Sequence, residues 1–257
     1  MLATRRDSAT RHAGAAGELR VLDLDVTSTE SVDAAAAAVP AEVGVPDVVV
    51  HSAGQMFVGF TEAFTDVELT RQLDVNVVGI HRMNRAFLPA MRQLRRGLVV
   101  HLSSVAGRLG APFFGVDHAS RWALEGDSMA LRGELASSGV DLVVVEPGPF
   151  ASELFPSSPR PADVEGRVAG YPAAAHQALE GPGQVFDAMF ADPQTPTDAG
   201  LVVERIDVRP GTRPFRGVVG VDVGVGARNA AVEPFDAGVP EAFGLTAFAT
   251  LSPASEG

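Results

Sequence analysis

The chain has 257 residues, of which 46% are hydrophobic and 20% charged. This length is enough for one large α/β domain with a full core. The formal net charge of −12 argues against nucleic-acid or anionic-membrane binding as the main role. The sequence contains no cysteine and no lysine, which excludes disulfides, thiol catalysis, cysteine-based metal sites and lysine-based chemistry within it.

Targeting signals are not recognisable in this sequence. The longest apolar runs have the length of a strand, which predicts no transmembrane helix. The first residues lack the apolar region of a signal peptide. We therefore expect a soluble cytoplasmic protein that binds neither membranes nor nucleic acid.

The first elements predicted are two short strands and a helix. Residues 1–4 are the end of a strand, and residues 19–24 alternate as a second one. Thr27 or Ser28 begins an alanine-rich helix, with Glu30 placed for a capping box with Thr27.

The middle of the chain alternates strands with longer helical patterns. Residues 46–50 form a β-branched run typical of a strand that is buried on both faces. A helical stretch covers residues 66–94, with a bend expected at Pro89. Residues 97–102 are the next strand, and an amphipathic helix follows from about Phe114.

The last part begins with an apolar strand at residues 140–145. Residues 150–196 are rich in Pro, Ser, Gly and Ala, which predicts a lid or substrate loop with one or two helices. A helix at 197–204, a strand at 215–221 and a C-terminal tail at 231–257 complete the chain. The alternation of strands and helices predicts right-handed βαβ units, a doubly wound parallel sheet and a single domain over 1–257.

The end of the 97–102 strand is the first candidate for chemistry. In open α/β sheets, ligands bind beyond the carboxyl ends of the strands. Ser104 lies at such an end. Asp117 and Arg121 follow on the next helix at positions i and i+4, and therefore share one helical face.

Short motifs also stand at the ends of the other strands. They are Asp25-Val26, His51-Ser52-Ala53-Gly54, Ser104 and Pro147-Gly148. Asn76, in the helical stretch, lies in Leu-Asp-Val-Asn-Val-Val-Gly. In order and spacing these motifs resemble those of the classical short-chain dehydrogenase/reductase family, over about residues 1–231. The resemblance implies a Rossmann-like fold and an NADP-linked oxidoreductase lineage.

The resemblance also implies roles for individual residues. Asp25 and Val26 correspond to the pair that touches adenine, and Arg6 to a basic residue that holds a 2′-phosphate, which would favour NADP. The turn Ser52-Ala53-Gly54 would lie beside the cofactor and Pro147-Gly148 at the nicotinamide. Ser104 and Asn76 correspond to catalytic residues of the family.

Two further catalytic positions differ from the family. Its tyrosine position is Asp117 and its lysine position is Arg121. A carboxyl group with an ordinary pKa is ionised at pH 7 and cannot donate the proton that the tyrosine supplies. Burial would have to raise the pKa of Asp117, and the charge of Arg121 would oppose that rise.

A third difference concerns the first βα unit of the family, which carries a glycine-rich pyrophosphate turn. No Gly-x-x-x-Gly-x-Gly precedes Asp25 in this chain. Without that unit the binding of any nicotinamide cofactor is itself in question. The family's first strand is central, so its absence would leave backbone groups unpaired. Three solutions are open: residues 19–24 close up against 48–50, a partner chain supplies a strand, or the true start lies upstream.

Each candidate also has an ordinary structural explanation. Ser104 could bond loop backbone, and Asp117 and Arg121 could form a helical ion pair worth a few tenths of a kcal/mol. His51 and His101 are expected to be hydrogen-bonded interior histidines, and the spacing predicts no metal site.

Three functions therefore remain in competition. The first is a degenerate member of the family without tyrosine- and lysine-driven hydride transfer. The second is a non-redox lyase, isomerase or cyclase that uses Asp117 and Ser104 on a small-molecule ligand in the same cleft. The third is a pseudoenzyme that forms homo-oligomers, or hetero-oligomers with a complete homologue.

Overall fold

The strands of this protein run in parallel, as the sequence predicts. The computed structural model describes residues 2–5, 20–150, 152, 154–190 and 200–251. Within these residues the strands are β1 (Leu2–Arg5), β2 (Arg20–Asp23), β3 (Val48–His51), β4 (Gly97–Leu102), β5 (Val140–Pro147) and β6 (Arg216–Val219). Two sheets result: β3-β4-β5-β6 in that order, and a separate pair β1-β2, with every pairing parallel.

Helices connect the strands. They are α1 (Thr29–Val43), α2 (Asp66–Leu73), α3 (Gly79–Leu94), α4 (Gly115–Ala136), α5 (Val164–Arg167), α6 (Ala173–Phe190), α7 (Gly200–Asp207) and α8 (Val225–Ala242). A π-helical turn, Asp74–Val78, joins α2 to α3. The alternation confirms the predicted α/β fold with a parallel sheet.

The core lies on both faces of the four-stranded sheet. One cluster combines residues of β4 and β5 with the inner faces of α3 and α4: Leu88, Met91, Val99, Leu135, Val140, Leu142 and Val144. The opposite face contributes Leu98, Val100, Val143, Val145 and Val219. Successive strand residues point to opposite faces, so burial of both faces explains why most residues of β4 and β5 are apolar.

The prediction of a doubly buried strand was wrong for β3. This strand forms an edge of the four-stranded sheet, and Val50 is 42% exposed. The strand β2 pairs with β1 and not with β3. The sequence left open that residues 19–24 close up against residues 48–50. The described strands do not pair in that way.

Ser28, one of two predicted caps, begins α1, and its hydroxyl accepts from the Ser31 amide. The predicted capping box of Thr27 with Glu30 was wrong, because the Thr27 hydroxyl donates to Asp25 Oδ1 at 2.7 Å. Pro89 lies inside α3, and the helical stretch is interrupted earlier, at the π-helical turn.

The segment expected to be a lid contains two helices, α5 and α6. Phe60 anchors it, since its ring lies 4.5 Å from that of Tyr171 and 5.4 Å from that of His176. Beyond β6, α8 continues into the stretch assigned to the C-terminal tail and ends at Ala242.

Candidate functional site

The carboxyl ends of β3, β4 and β5 lie at one edge of the sheet, because these strands are parallel neighbours. At this edge the Ser104 hydroxyl lies 3.4 Å from the Pro147 carbonyl oxygen, to which it donates, and it accepts from the Ala106 amide at 3.1 Å. The Gly148 amide donates to the Val219 carbonyl. Ser104 therefore ties the end of β4 to the Pro147-Gly148 turn.

A second polar group forms around Asn76. Its Oδ1 accepts from the Gln55 amide, and its Nδ2 donates to the Gln55 carbonyl, both at 2.9 Å. The same Nδ2 donates to the Ser120 hydroxyl at 2.9 Å. Asn76 thus fixes the segment after Gly54 against the π-helical turn and α4.

Asp117 belongs to this second group. It is 3% exposed, and its Oδ1 accepts from Gln72 Nε2 at 2.9 Å. Burial raises the pKa of Asp117 above its ordinary value, although the charges of Arg121 and His118 oppose the rise. Burial therefore affects the pKa of Asp117 more than the charge of Arg121 does. The sequence alone could not compare these two effects.

Arg121 is directed mainly at the backbone of β4. Its Nη1 lies 3.3 Å from the carbonyl oxygens of Leu102 and Ser103 and donates to both. Its Nε forms an ion pair with Asp117 Oδ1 at 3.6 Å, and this Nε makes no hydrogen bond with a described residue. A Cβ at Gly54 would approach Arg121 Nη2 to 3.2 Å, so the guanidinium fills the space beside that turn.

The structure separates the predicted site residues into two groups. Ser104 contacts the Pro147-Gly148 turn, whereas Asp117 contacts Gln72. Within the described ranges, no hydrogen bond joins the Ser104 hydroxyl to Asp117. The predicted cleft, with Ser104 and Asp117 acting on one ligand, is not assembled by direct contact.

Two residues of the site were missed from the sequence. Gln72 is fully buried and also approaches the Ser120 hydroxyl, at 3.2 Å. Ser120 donates to the Asp117 carbonyl. Ser120 is three residues from Asp117 and could have been found by helical spacing, but no local pattern marks Gln72, which is 45 residues away.

The histidines have structural partners. His51 Nε2 lies 3.0 Å from Asn84 Oδ1, and His101 Nδ1 lies 2.7 Å from the Ser128 hydroxyl. Burial lowers the pKa of His51 to about 4 and that of His101 well below its ordinary value. These contacts agree with the interpretation of both as interior, neutral histidines. His118 is held between the Ala106 carbonyl and the Ala111 amide.

Two cavities border the carboxyl edge. The first, of about 310 Å³, lies where the residue after β2 meets the π-helical turn; it is lined by Asp25, Thr27, Gln55, Arg71, Asp74 and Val75. The second, of about 330 Å³, lies under the predicted lid; it is lined by Val58, Phe155, Pro156, Ser158, Arg160, Leu179 and Glu180.

Three of the predicted cofactor residues have different placements. Asp25 lines the first cavity. Val26 packs on the start of α3, because a Cβ at Gly79 would meet its side chain at 2.9 Å. Arg6 lies outside the described residues.

Metal binding and membrane spanning find no support in the described part of the chain. No group of three His, Cys, Asp or Glu side chains there could hold a metal ion. No described helix combines the length and the apolar character that a membrane crossing requires.

Comparison with known proteins agrees with the fold. The model of the short chain dehydrogenase family matches residues 2–162. A short-chain dehydrogenase from Streptomyces avermitilis superposes with a TM-score of 0.69 at 30% identity, over 89% of this chain and 80% of that one. A metagenomic short-chain oxidoreductase, solved in complex with NADP, gives a TM-score of 0.52 at 28% identity, over 57% and 69%.

Among curated proteins, 3-ketodihydrosphingosine reductase of Bacteroides thetaiotaomicron is 37% identical over 134 residues, 52% of this chain and 50% of the relative. The chain thus spans about half the length of that relative. The family model covers more than half of the present chain. Its parallel sheet, its strand-end motifs and these similarities together show that the chain belongs to the short-chain dehydrogenase family.

Proposed function

We propose that this protein is a degenerate short-chain dehydrogenase that does not transfer hydride by the tyrosine- and lysine-driven route. The observation that carries this proposal is the buried position of the two replacements. Asp117 is hydrogen-bonded to Gln72, and Arg121 to the carbonyls at the end of β4. Neither side chain hydrogen-bonds to the Ser104 hydroxyl among the described residues.

The chemistry of these side chains supports the proposal. A proton donor to a substrate oxygen must lie within hydrogen-bond reach of it. Asp117 is almost fully buried and turned towards α2. Arginine remains protonated, and its planar group cannot reproduce the point charge of lysine. Arg121 is already engaged by two backbone carbonyls.

The described residues fit one end of a dinucleotide better than the other. The first cavity offers Asp25, Thr27 and Arg71 to an adenosine group. At the opposite end, a Cβ at Gly148 would meet the Val221 carbonyl oxygen at 2.4 Å, so this chain's own backbone packs closely against the turn. Arg121 stands at the position of the family's lysine, which would bind the ribose. We therefore propose that NADP, which a solved relative binds, makes at most an adenosine contact with this chain.

Titration with NADPH and NADH, followed by nicotinamide fluorescence, tests the proposal together with assays on ketones and alcohols. We expect no turnover, and any binding to be weaker than micromolar. Arg71→Gln should weaken residual binding if the first cavity holds the adenosine. Micromolar or tighter binding with turnover of a ketone would overturn the proposal.

A second function is favoured by one observation, the raised pKa of Asp117. Burial moves the pKa of this carboxyl group towards the range in which a general acid of a lyase, isomerase or cyclase reaction works. Activity that needs no nicotinamide and is abolished by Asp117→Asn would favour this function. Full activity in that variant would remove Asp117 from the mechanism.

A further inference from the structure

A pair of buried carboxyl groups lies behind the Pro147-Gly148 turn. Glu146 is the penultimate residue of β5 and is fully buried. Glu125, on α4, is 2% exposed. Glu146 directly precedes Pro147, whose carbonyl oxygen accepts from Ser104. The pair is therefore one residue away from the candidate site, on the side of the sheet that α4 covers.

Each carboxyl group is held through one oxygen only. Arg216 Nε donates to Glu125 Oε2 at 2.9 Å. Asn229 on α8 donates from Nδ2 to Glu146 Oε2 at 2.6 Å, and Arg108 Nε donates to Asn229 Oδ1 at 2.8 Å. The remaining oxygens, Glu125 Oε1 and Glu146 Oε1, are buried without a hydrogen-bond partner among the described residues.

The two unpartnered oxygens belong to neighbouring groups. The same guanidinium nitrogen, Arg216 Nε, lies 2.9 Å from Glu125 Oε2 and 3.9 Å from Glu146 Oε1. A buried acceptor without a donor is costly, and two adjacent buried carboxylates repel each other. One proton on either carboxyl group removes the repulsion between the two charges.

The charges of the cluster point to the same count. Arg108 and Arg216 are the two guanidinium groups, and the carboxyl groups are Glu125, Glu146 and Asp236, whose Oδ2 lies 3.2 Å from Arg216 Nη1. Asp236 is partly exposed and solvated, so the two buried carboxylates face two guanidiniums, without the surplus of positive charge that would hold both groups ionised. Arg228, which also faces Arg108, is exposed and lies over the Trp122 ring, where water solvates it.

We propose that Glu125 and Glu146 hold one proton between them, and that this shared proton fastens α8 to the Pro147-Gly148 turn. The attachment of α8 depends on this cluster, since Asn229 and Asp236 are its polar contacts with Glu146 and Arg216. Glu146 is thus a positioning residue for the turn that Ser104 contacts. Loss of the proton adds a second buried negative charge and loosens α8.

The expected pH range follows from the surroundings of Glu146. Burial, followed by the charge of Glu125, raises the pKa of Glu146 to about 7, against the opposing effects of Asn229, Arg216 and Arg108. The proton is therefore held below neutral pH and lost above it. This inference does not depend on any cofactor or substrate.

Hydrogen–deuterium exchange of the α8 amides between pH 6 and 8.5, corrected for intrinsic exchange, tests the proposal on the full chain. Protection in the wild type should fall about tenfold across pH 7. In Glu146→Gln, a permanently uncharged isostere, it should stay constant at the low-pH value. Glu241→Gln, an exposed change on the same helix, should keep the wild-type profile.

Two further measurements guard against an unfolded variant. Glu125→Gln should reduce the pH dependence without removing it, because burial, the larger cause of the raised pKa of Glu146, remains. Infrared difference spectra of protein labelled with 13C-glutamate should show a protonated carboxyl band that disappears across pH 7. Constant α8 protection in the wild type, or no such band at pH 6, would overturn the proposal.

Discussion

Gln72 donates a hydrogen bond to Asp117 over 2.9 Å and thereby joins α2 to α4. Gln72 is held in turn by Ser120, which Asn76 also contacts. A chain of buried polar contacts therefore runs from the segment after β3 to α4. These contacts fix the Asp117 carboxyl group against α2.

The first prediction concerns Asp117→Asn. Because the folded protein raises the pKa of Asp117, the folded state binds the proton more tightly than the unfolded state. Its contribution to stability is therefore present at low pH and lost as the pH rises through the folded pKa. We expect Asn to remove this dependence and to stabilise the protein relative to wild type at pH 8. Urea unfolding between pH 4 and 8 measures it.

The chain contains a matched control for this change. Asp163 and Arg167 form another i,i+4 pair, at 2.9 Å, on an exposed helix. Exposed pairs contribute little, so Asp163→Asn should change the unfolding free energy by about 0.5 kcal/mol or less. A larger loss of stability in Asp117→Asn than in this control would mean that Asp117 is ionised in the folded protein.

The second prediction concerns acid sensitivity through His51. Its pKa is lowered to about 4, so protonation favours the unfolded state between pH 6.5 and 4. This residue alone should reduce stability by about 2 kcal/mol when the pH falls from 7.5 to 5. We expect His51→Asn to lose that part of the dependence, while His81→Asn, at an exposed position, keeps it. Equal pH profiles for both variants would refute the assignment.

The third prediction separates a structural from a catalytic role for Ser104. Its hydroxyl accepts from the Ala106 amide as the cap of a short 3-10 turn. Ser104→Ala should cost about 1 kcal/mol of stability, as loss of a cap does. If a turnover assay is found for the protein, this variant should lower the rate by no more than a few-fold. A loss of several orders of magnitude would make Ser104 catalytic and contradict the proposed function.

The fourth prediction tests the contact between the loop after β3 and the predicted lid. A Cβ at Gly59 would approach Pro161 Cγ to 2.5 Å, so Gly59→Ala must displace the segment that leads to α5. We expect a loss of about 1–3 kcal/mol, as for other overpacked sites, and faster proteolysis within residues 154–181. At Gly110 a Cβ meets nothing within 4 Å. Gly110→Ala should therefore leave proteolysis unchanged, and similar cleavage of both variants would disprove the contact.

Local sequence was sufficient for much of the fold. The apolar runs at 97–102 and 140–145 predicted β4 and β5, because strands buried on both faces carry no polar alternation. The sequence also placed Ser104 directly after β4 and α4 after the following loop, as the structure has them. The prediction failed where the environment decides, at Val50 on an edge strand, and α3 continues through Pro89 without a break.

The sequence by itself determined the family and the parallel α/β fold, and it predicted the replacement of tyrosine and lysine by Asp117 and Arg121. Only the tertiary structure decided what these replacements do. Gln72 reaches Asp117 from 45 residues away, and burial outweighs the charge of Arg121 in setting the pKa of Asp117. The same holds for Glu125 and Glu146, since burial and the approach of distant side chains depend on the packing of several elements, which no local pattern encodes.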